Sequence, residues 1–263
     1  MASLRKGTRR GFPLLTLLNN PGDPKPPMAP LCDIGVFFGT FDVFHKGHWA
    51  MAQAALDEAG LKHLVVIPAF SPPNKSGADG PVPAHAYFHR LAMARLACAA
   101  DARIAVSDLE ACLPTPSYTI ATLRALFPGF DDFDPHRIAF LAGLDTYRSL
   151  GQWKEAAVLI RQLHFLVVPR HQADVPRQLE VPGYNKPLPT SVQVIESFRD
   201  DAVSASHLKS VWAQQQSASE LTEWVPEAVA QYMQTYLLPR QDMAAAGVAD
   251  EEEACQGQLS LPR

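Results

Sequence analysis

Short apolar runs, most of them followed by a stretch of helical character, recur along this chain and leave it few folds. Residues 34–38, 64–67, 104–106, 138–142, 165–168 and 192–195 read as six strands. Helical segments are expected at 49–56, 84–100, 117–127 and 153–162, and after the last strand near 204–215 and 226–237. All but the last of these runs, which contains Gln193, are apolar throughout rather than alternating, which suits strands buried on both faces. Strands of that kind separated by helices make a parallel sheet with helices on both sides. The expected fold class is therefore α/β, a Rossmann-like doubly wound parallel sheet.

With 263 residues, 47% of them hydrophobic, the chain can bury one large core. Residues 1–30 hold six of the 23 prolines and read as a disordered extension. The run at 12–18 is too short, and too interrupted by Pro13 and Thr16, for a secretory leader. Residues 31–239 are expected to form the folded domain and 240–263, with Glu251, Glu252 and Glu253, a disordered tail. A net charge of −4 gives no basic field for a nucleic acid polymer, so phosphate recognition must be local. Cys32, Cys98, Cys112 and Cys255 are far apart, which suits reduced thiols and a cytoplasmic location better than a disulfide framework or zinc site. No apolar run approaches the ~20 residues of a membrane span.

The stretch from Phe37 to His48 carries the chemistry. A strand runs through a Gly-containing turn into a helix, and such a helix start offers unpaired N–H groups and a positive dipole end to phosphates. His45 and His48 stand at its mouth. Neither G-x-G-x-x-G nor G-x-x-x-x-G-K-[ST] is present, so the loop is neither a dehydrogenase fingerprint nor a P-loop. Gly39 lets a phosphate or adenine approach the backbone. Asp42 suits holding a histidine or the loop backbone, or simply stabilising a turn.

Gly39-Thr40-Phe41-Asp42 followed by His45 and His48 resembles the G-T-F-D-x-x-H-x-G-H signature of the HIGH-type nucleotidyltransferases. Further segments resemble the bacterial nicotinate mononucleotide adenylyltransferases in particular. These are Ser71-Pro72-Pro73-Asn74-Lys75, Arg90 with Met93, Glu110, Pro116-Ser117-Tyr118-Thr119-Ile120, Gly143-Leu144-Asp145 with Trp153, the segment from Val203 to Lys209, and Val225-Pro226 with Tyr232. The resemblance implies transfer of AMP from ATP to nicotinate mononucleotide, forming deamido-NAD and releasing pyrophosphate, with Mg²⁺ accompanying ATP. It assigns His45, His48 and Asp42 to catalysis. Gly39, Thr40, Phe41, His45, His48, Ser204, Ser206 and Lys209 would bind ATP, and Lys75, Thr119, Asp145 and Trp153 the acceptor. No protein-held metal is implied.

The chain departs from the family pattern at three telling places. Phe38 stands where a glycine is usual and is expected to crowd the turn. Asn74 stands for a histidine, and Lys209 for an arginine, which replaces a bidentate fork with a point charge. Two alternatives stay open: a sibling transferase with another acceptor, such as nicotinamide mononucleotide or phosphopantetheine, and a regulatory protein that binds nucleotide without turnover. A homo-oligomer is left open as well.

Overall fold

The computed structural model describes residues 32–73, 85–169, 191–198 and 218–237. Their strands are β1 (Ile34–Gly39), β2 (His63–Pro68), β3 (Ile104–Val106), β4 (Ile138–Gly143), β5 (Leu163–Val168) and β6 (Ser191–Val194). Their helices are α1 (Lys46–Glu58), α2 (Tyr87–Cys98), α3 (Thr119–Leu126), α4 (Leu144–Ser149), α5 (Ala156–Gln162), α6 (Ala218–Trp224) and α7 (Glu227–Tyr236). The six strands form one parallel sheet in the order β3-β2-β1-β4-β5-β6. All six expected strands are present, and the doubly wound class is the one observed.

The four central strands, β1, β2, β4 and β5, feed both faces of the sheet, which is why their sequences are almost continuously apolar. On one side Phe37, Leu64, Val66 and Leu141 meet Ala52 and Leu56 of α1, Met93 and Ala97 of α2, and Val229 and Met233 of α7. On the other, Val36, Val65, Ile67, Phe140 and Phe165 meet Ile120 and Leu123 of α3, Tyr147 of α4 and Leu159 and Ile160 of α5. Burying an aliphatic or aromatic side chain stabilises by about 1.5–3 kcal/mol, so these two layers supply most of what opposes chain entropy. Cys32 and Cys98 are buried thiols, and burial pushes both up to about 12.

The strand order reverses between β1 and β4. The chain runs outward from β1 through β2 to β3, then returns to place β4 on the other side of β1. Ligands of open α/β sheets bind at the carboxyl ends of the strands flanking such a switch. The loops after β1 and β4 therefore frame the crevice.

Helix boundaries shifted for local reasons. α1 begins at Lys46 rather than 49 because a capping pair, not apolar periodicity, starts it. Gly60 follows its C-terminus at φ 67, the left-handed position that glycine occupies without a Cβ penalty. α5 begins at Ala156 rather than 153 because Glu155 sits at φ 54, outside any right-handed helix. The short helices α4 and α6 were not expected from the sequence. The helix expected near 204–215, and both terminal extensions, lie outside the described residues.

Candidate active site

The turn after β1 is built around rings. Phe41 adopts φ 48, a conformation that L-residues seldom take, and is held there by packing. Its ring lies edge-on to Phe37 at 5.1 Å and to His48 at 5.1 Å, and 5.2 Å from Phe44. A Cβ on residue 39 would come within 2.6 Å of the Phe41 ring. One close approach that Gly39 permits is thus that of the Phe41 ring. Gly39→Ala is expected to destabilise the protein by about 1–3 kcal/mol, as overpacking does. Thermal melting checks this, and an unchanged midpoint would refute the role given to the ring.

His45 is the N-cap of α1, and the two histidines cap the helix reciprocally. The backbone N–H of His48 donates to His45 Nδ1 at 3.3 Å, and that of His45 donates to His48 Nδ1 at 3.3 Å. Their rings stack at 3.7 Å. A backbone N–H can only donate, so both Nδ1 atoms accept and both neutral rings carry their proton on Nε2. Two parallel Nε2–H donors result, at a helix N-terminus on the switch point.

Burial lowers His45 to about 4, from an ordinary 6.5. His48 is lowered well below its usual value by burial and by its neighbour His45. Both are therefore neutral at pH 7. Between pH 6.5 and 4 the unfolded chain takes up protons that the folded pair refuses. Stability should accordingly be full above pH 6.5 and fall as pH drops towards 4, by about 3 kcal/mol for His45. Urea midpoints measured at pH 7.5 and 4.5 check the sign, and the fall should flatten in His45→Asn.

Asp42 grips a third histidine. Its Oδ1 accepts from the His85 backbone N–H at 3.1 Å and pairs with His85 Nδ1 at 2.6 Å. Beside them Arg90 is 2% exposed, with Nε donating to the His85 carbonyl at 3.2 Å and a terminal nitrogen to the Thr40 carbonyl at 2.5 Å. Burial lowers the Arg90 guanidinium, and the Asp42 carboxylate works against that.

A second group gathers on the other face of the sheet. Trp153 is half-buried, edge-on to Phe140 at 6.0 Å, and its Nε1 donates to Ser149 Oγ at 3.1 Å. The Lys154 ammonium lies 4.4 Å from the centre of the Tyr118 ring, which brings the 117–119 segment to the Trp153 turn. Thr119 opens α3, next to Tyr118. Asp145 is exposed in the first turn of α4, directly after β4. Phe38 does not crowd the turn. Its ring leaves the sheet on this face and stacks on Phe140 at 5.5 Å with an interplanar angle of 11°. Phe38, Phe140 and Trp153 form a continuous aromatic wall.

Glu110 braces the edge of the site. It is buried, and accepts from the Phe70 backbone N–H at 3.0 Å and from the Thr122 hydroxyl at 2.9 Å. Ser117 pairs twice with Ser71, its N–H donating to the Ser71 carbonyl and its Oγ accepting from the Ser71 N–H. Lys75, Ser204, Ser206 and Lys209, together with Asn74, lie outside the described residues. Sequence reasoning missed His85, since no spacing signal relates it to Asp42 across 43 positions. It also missed Ser149, although the i, i+4 spacing to Trp153 pointed there. Among the described residues no cluster of three or more His, Cys, Asp or Glu side chains is placed to hold a metal, and no helix is long and apolar enough to cross a membrane.

Comparison with known proteins adds to this geometry. Residues 36–211 match the model of the family described as "Cytidylyltransferase-like". A "Probable nicotinate-nucleotide adenylyltransferase" of Symbiobacterium thermophilum is 34% identical over 207 residues, 78% of this chain and 94% of the relative. One of the same description from Synechococcus sp. is 35% identical over 214 residues, 81% of this chain and 97% of the relative. Among solved structures, a Plasmodium falciparum nicotinic acid mononucleotide adenylyltransferase complexed with NaAD aligns with a TM-score of 0.56 at 16% identity. It covers 78% of this chain and 96% of its own, and it speaks to the fold alone.

Proposed function

This chain belongs to the nicotinate-nucleotide adenylyltransferase family, within the cytidylyltransferase-like proteins, and from that premise we propose how its residues carry out adenylyl transfer. The reaction is transfer of AMP from ATP to nicotinate mononucleotide. A 5′-phosphate oxygen of the mononucleotide bonds to the α-phosphorus of ATP, the α–β bridging P–O bond breaks, and pyrophosphate leaves with the electron pair. The attacking phosphate is already nucleophilic, so the protein contributes alignment and charge stabilisation rather than a covalent intermediate. Magnesium arrives with the triphosphate as part of the substrate, and its charge offsets that of the phosphates.

The observation that carries this reading is the reciprocal capping of His45 and His48, which presents two Nε2–H donors together. They donate to α- and β-phosphate oxygens, with the N–H groups of the α1 start beside them. Gly39, Thr40 and Phe41 shape the turn that receives the nucleotide, and Asp42 fixes it. Ser204, Ser206 and Lys209 are assigned to the triphosphate, and Lys75 to the acceptor phosphate side, by position in the sequence. Thr119 and the N-terminal amides of α3 suit a pyridine carboxylate, and Trp153 with the Phe38–Phe140 wall suits the pyridine ring. Asp145 lies at the switch point, placed to accept from a substrate hydroxyl.

The test is an acceptor panel with magnesium ATP. Nicotinate mononucleotide should give deamido-NAD and stoichiometric pyrophosphate at higher kcat/KM than nicotinamide mononucleotide or phosphopantetheine. No product with either pyridine mononucleotide would overturn the proposal. Trp153→Ala should raise the KM for nicotinate mononucleotide about tenfold, the worth of one aromatic pair, with the KM for ATP unchanged. Equal changes in both would refute its place on the acceptor side.

A further inference from the structure

We infer that His85 is a positioning residue for adenylyl transfer, its imidazole holding the Asp42 carboxylate and so the turn that carries the phosphate-binding histidines. This rests on the assignment of His45 and His48 to the phosphates of ATP.

The turn after β1 is tied on both sides of Phe41 to one short segment entering α2. Upstream, the Thr40 carbonyl accepts from Arg90. Downstream, the Asp42 carboxylate accepts from the His85 N–H and pairs with its Nδ1 at 2.6 Å. The Arg90 Nε closes the ring onto the His85 carbonyl. His85 thus uses its N–H, its carbonyl and its side chain in one network. The paired side chains are only 11% and 5% exposed, so water competes little for the bond.

Phe41 adopts φ 48 between the two anchor points, a backbone conformation that needs outside restraint. Three residues beyond Asp42 comes His45, whose ring must keep its register against His48 for both Nε2–H groups to point together. The Asp42–His85 pair ties the turn three residues before that register, by hydrogen bonds rather than by ring packing. It also lies apart from the apolar packing of the turn, which Phe37, Phe41 and Phe44 provide.

Truncating the side chain leaves the other bonds of the network in place, because they use the backbone of residue 85. His85→Leu keeps bulk and removes the donor to Asp42. His85→Asn places an amide N–H near the position of Nδ1 and restores it.

Steady-state kinetics on the full chain and on H85L and H85N, at saturating nicotinate mononucleotide, test the inference. H85L should lose about tenfold or more in kcat with the KM for ATP within about threefold, and H85N should stay within about threefold of the unaltered chain in both. Equal loss in the two variants, or undiminished kcat in H85L, would overturn it. A second measurement is independent of turnover: the ¹H–¹⁵N imidazole signals of His45 and His48 should move in H85L and not in H85N. Unmoved signals in H85L would overturn it too. If the unaltered chain transfers AMP to no acceptor, the functional assignment fails by itself and these spectra decide the role of His85.

Discussion

Replacing His45 with asparagine is expected to leave the protein folded and to lower kcat for adenylyl transfer by ~10²–10³, the cost of one donor aimed at developing charge. The choice of asparagine separates two jobs that this imidazole does at once. Its Nδ1 caps α1 by accepting from the His48 N–H, and asparagine is among the best N-caps, with an oxygen that accepts the same bond. Its Nε2–H faces away from the cap, and asparagine has nothing there. His45→Ala should lose both, adding about 0.5–2 kcal/mol of destabilisation to the same kinetic loss. Pyrophosphate release measured alongside urea unfolding distinguishes them. Full activity in His45→Asn would remove this nitrogen from the phosphate site, and equal destabilisation of the two variants would mean that the cap is not held as described.

That double role explains what the sequence could and could not disclose. The two histidines, the glycine before them and the strand they follow lie within a dozen residues, so their joint position at a helix start follows from local geometry. The six strands were legible for the same reason, five as continuous apolar runs and the sixth as a short run around Gln193. What was not legible depends on where distant segments meet. Gly39 suggested a close approach to the backbone, but not that Phe41, at φ 48 and packed on Phe37, Phe44 and His48, would lie against it. Phe38 looked like a threat to the turn. Strand alternation sends its ring instead to the opposite face from Phe37, onto Phe140. Asp42 suggested a hold on a histidine or on the loop backbone, but nothing in the sequence named the histidine as His85, beyond β2 and a Pro-rich loop. Glu110 carries the same lesson. It belongs to a segment that resembles the family, and its carboxylate ties the loop after β2, at Phe70, to Thr122 of α3.

Arg90→Met is expected to be the most damaging single change to stability, at about 3–5 kcal/mol. The guanidinium is almost wholly buried beside the Asp42 carboxylate. Methionine fills much of the volume, so packing is not the main loss. Removing the cation takes a neighbouring positive charge from the buried Asp42 carboxylate and leaves the Thr40 and His85 carbonyls without the donors they had. Arg103 makes the instructive contrast. It bonds to Asp101, Asp57 and Gln53, more partners than Arg90 has, but it stands in solvent, where water replaces each of them. Arg103→Met should therefore move the urea midpoint far less than Arg90→Met. Arg90→Lys should fall between native and Arg90→Met, because it keeps the charge near Asp42 but cannot span both carbonyls as the planar fork does. A loss below about 1 kcal/mol in Arg90→Met would show that the guanidinium adds little to a turn held by its aromatic packing and the Asp42–His85 pair, since two buried carbonyls losing their donors should cost more than that.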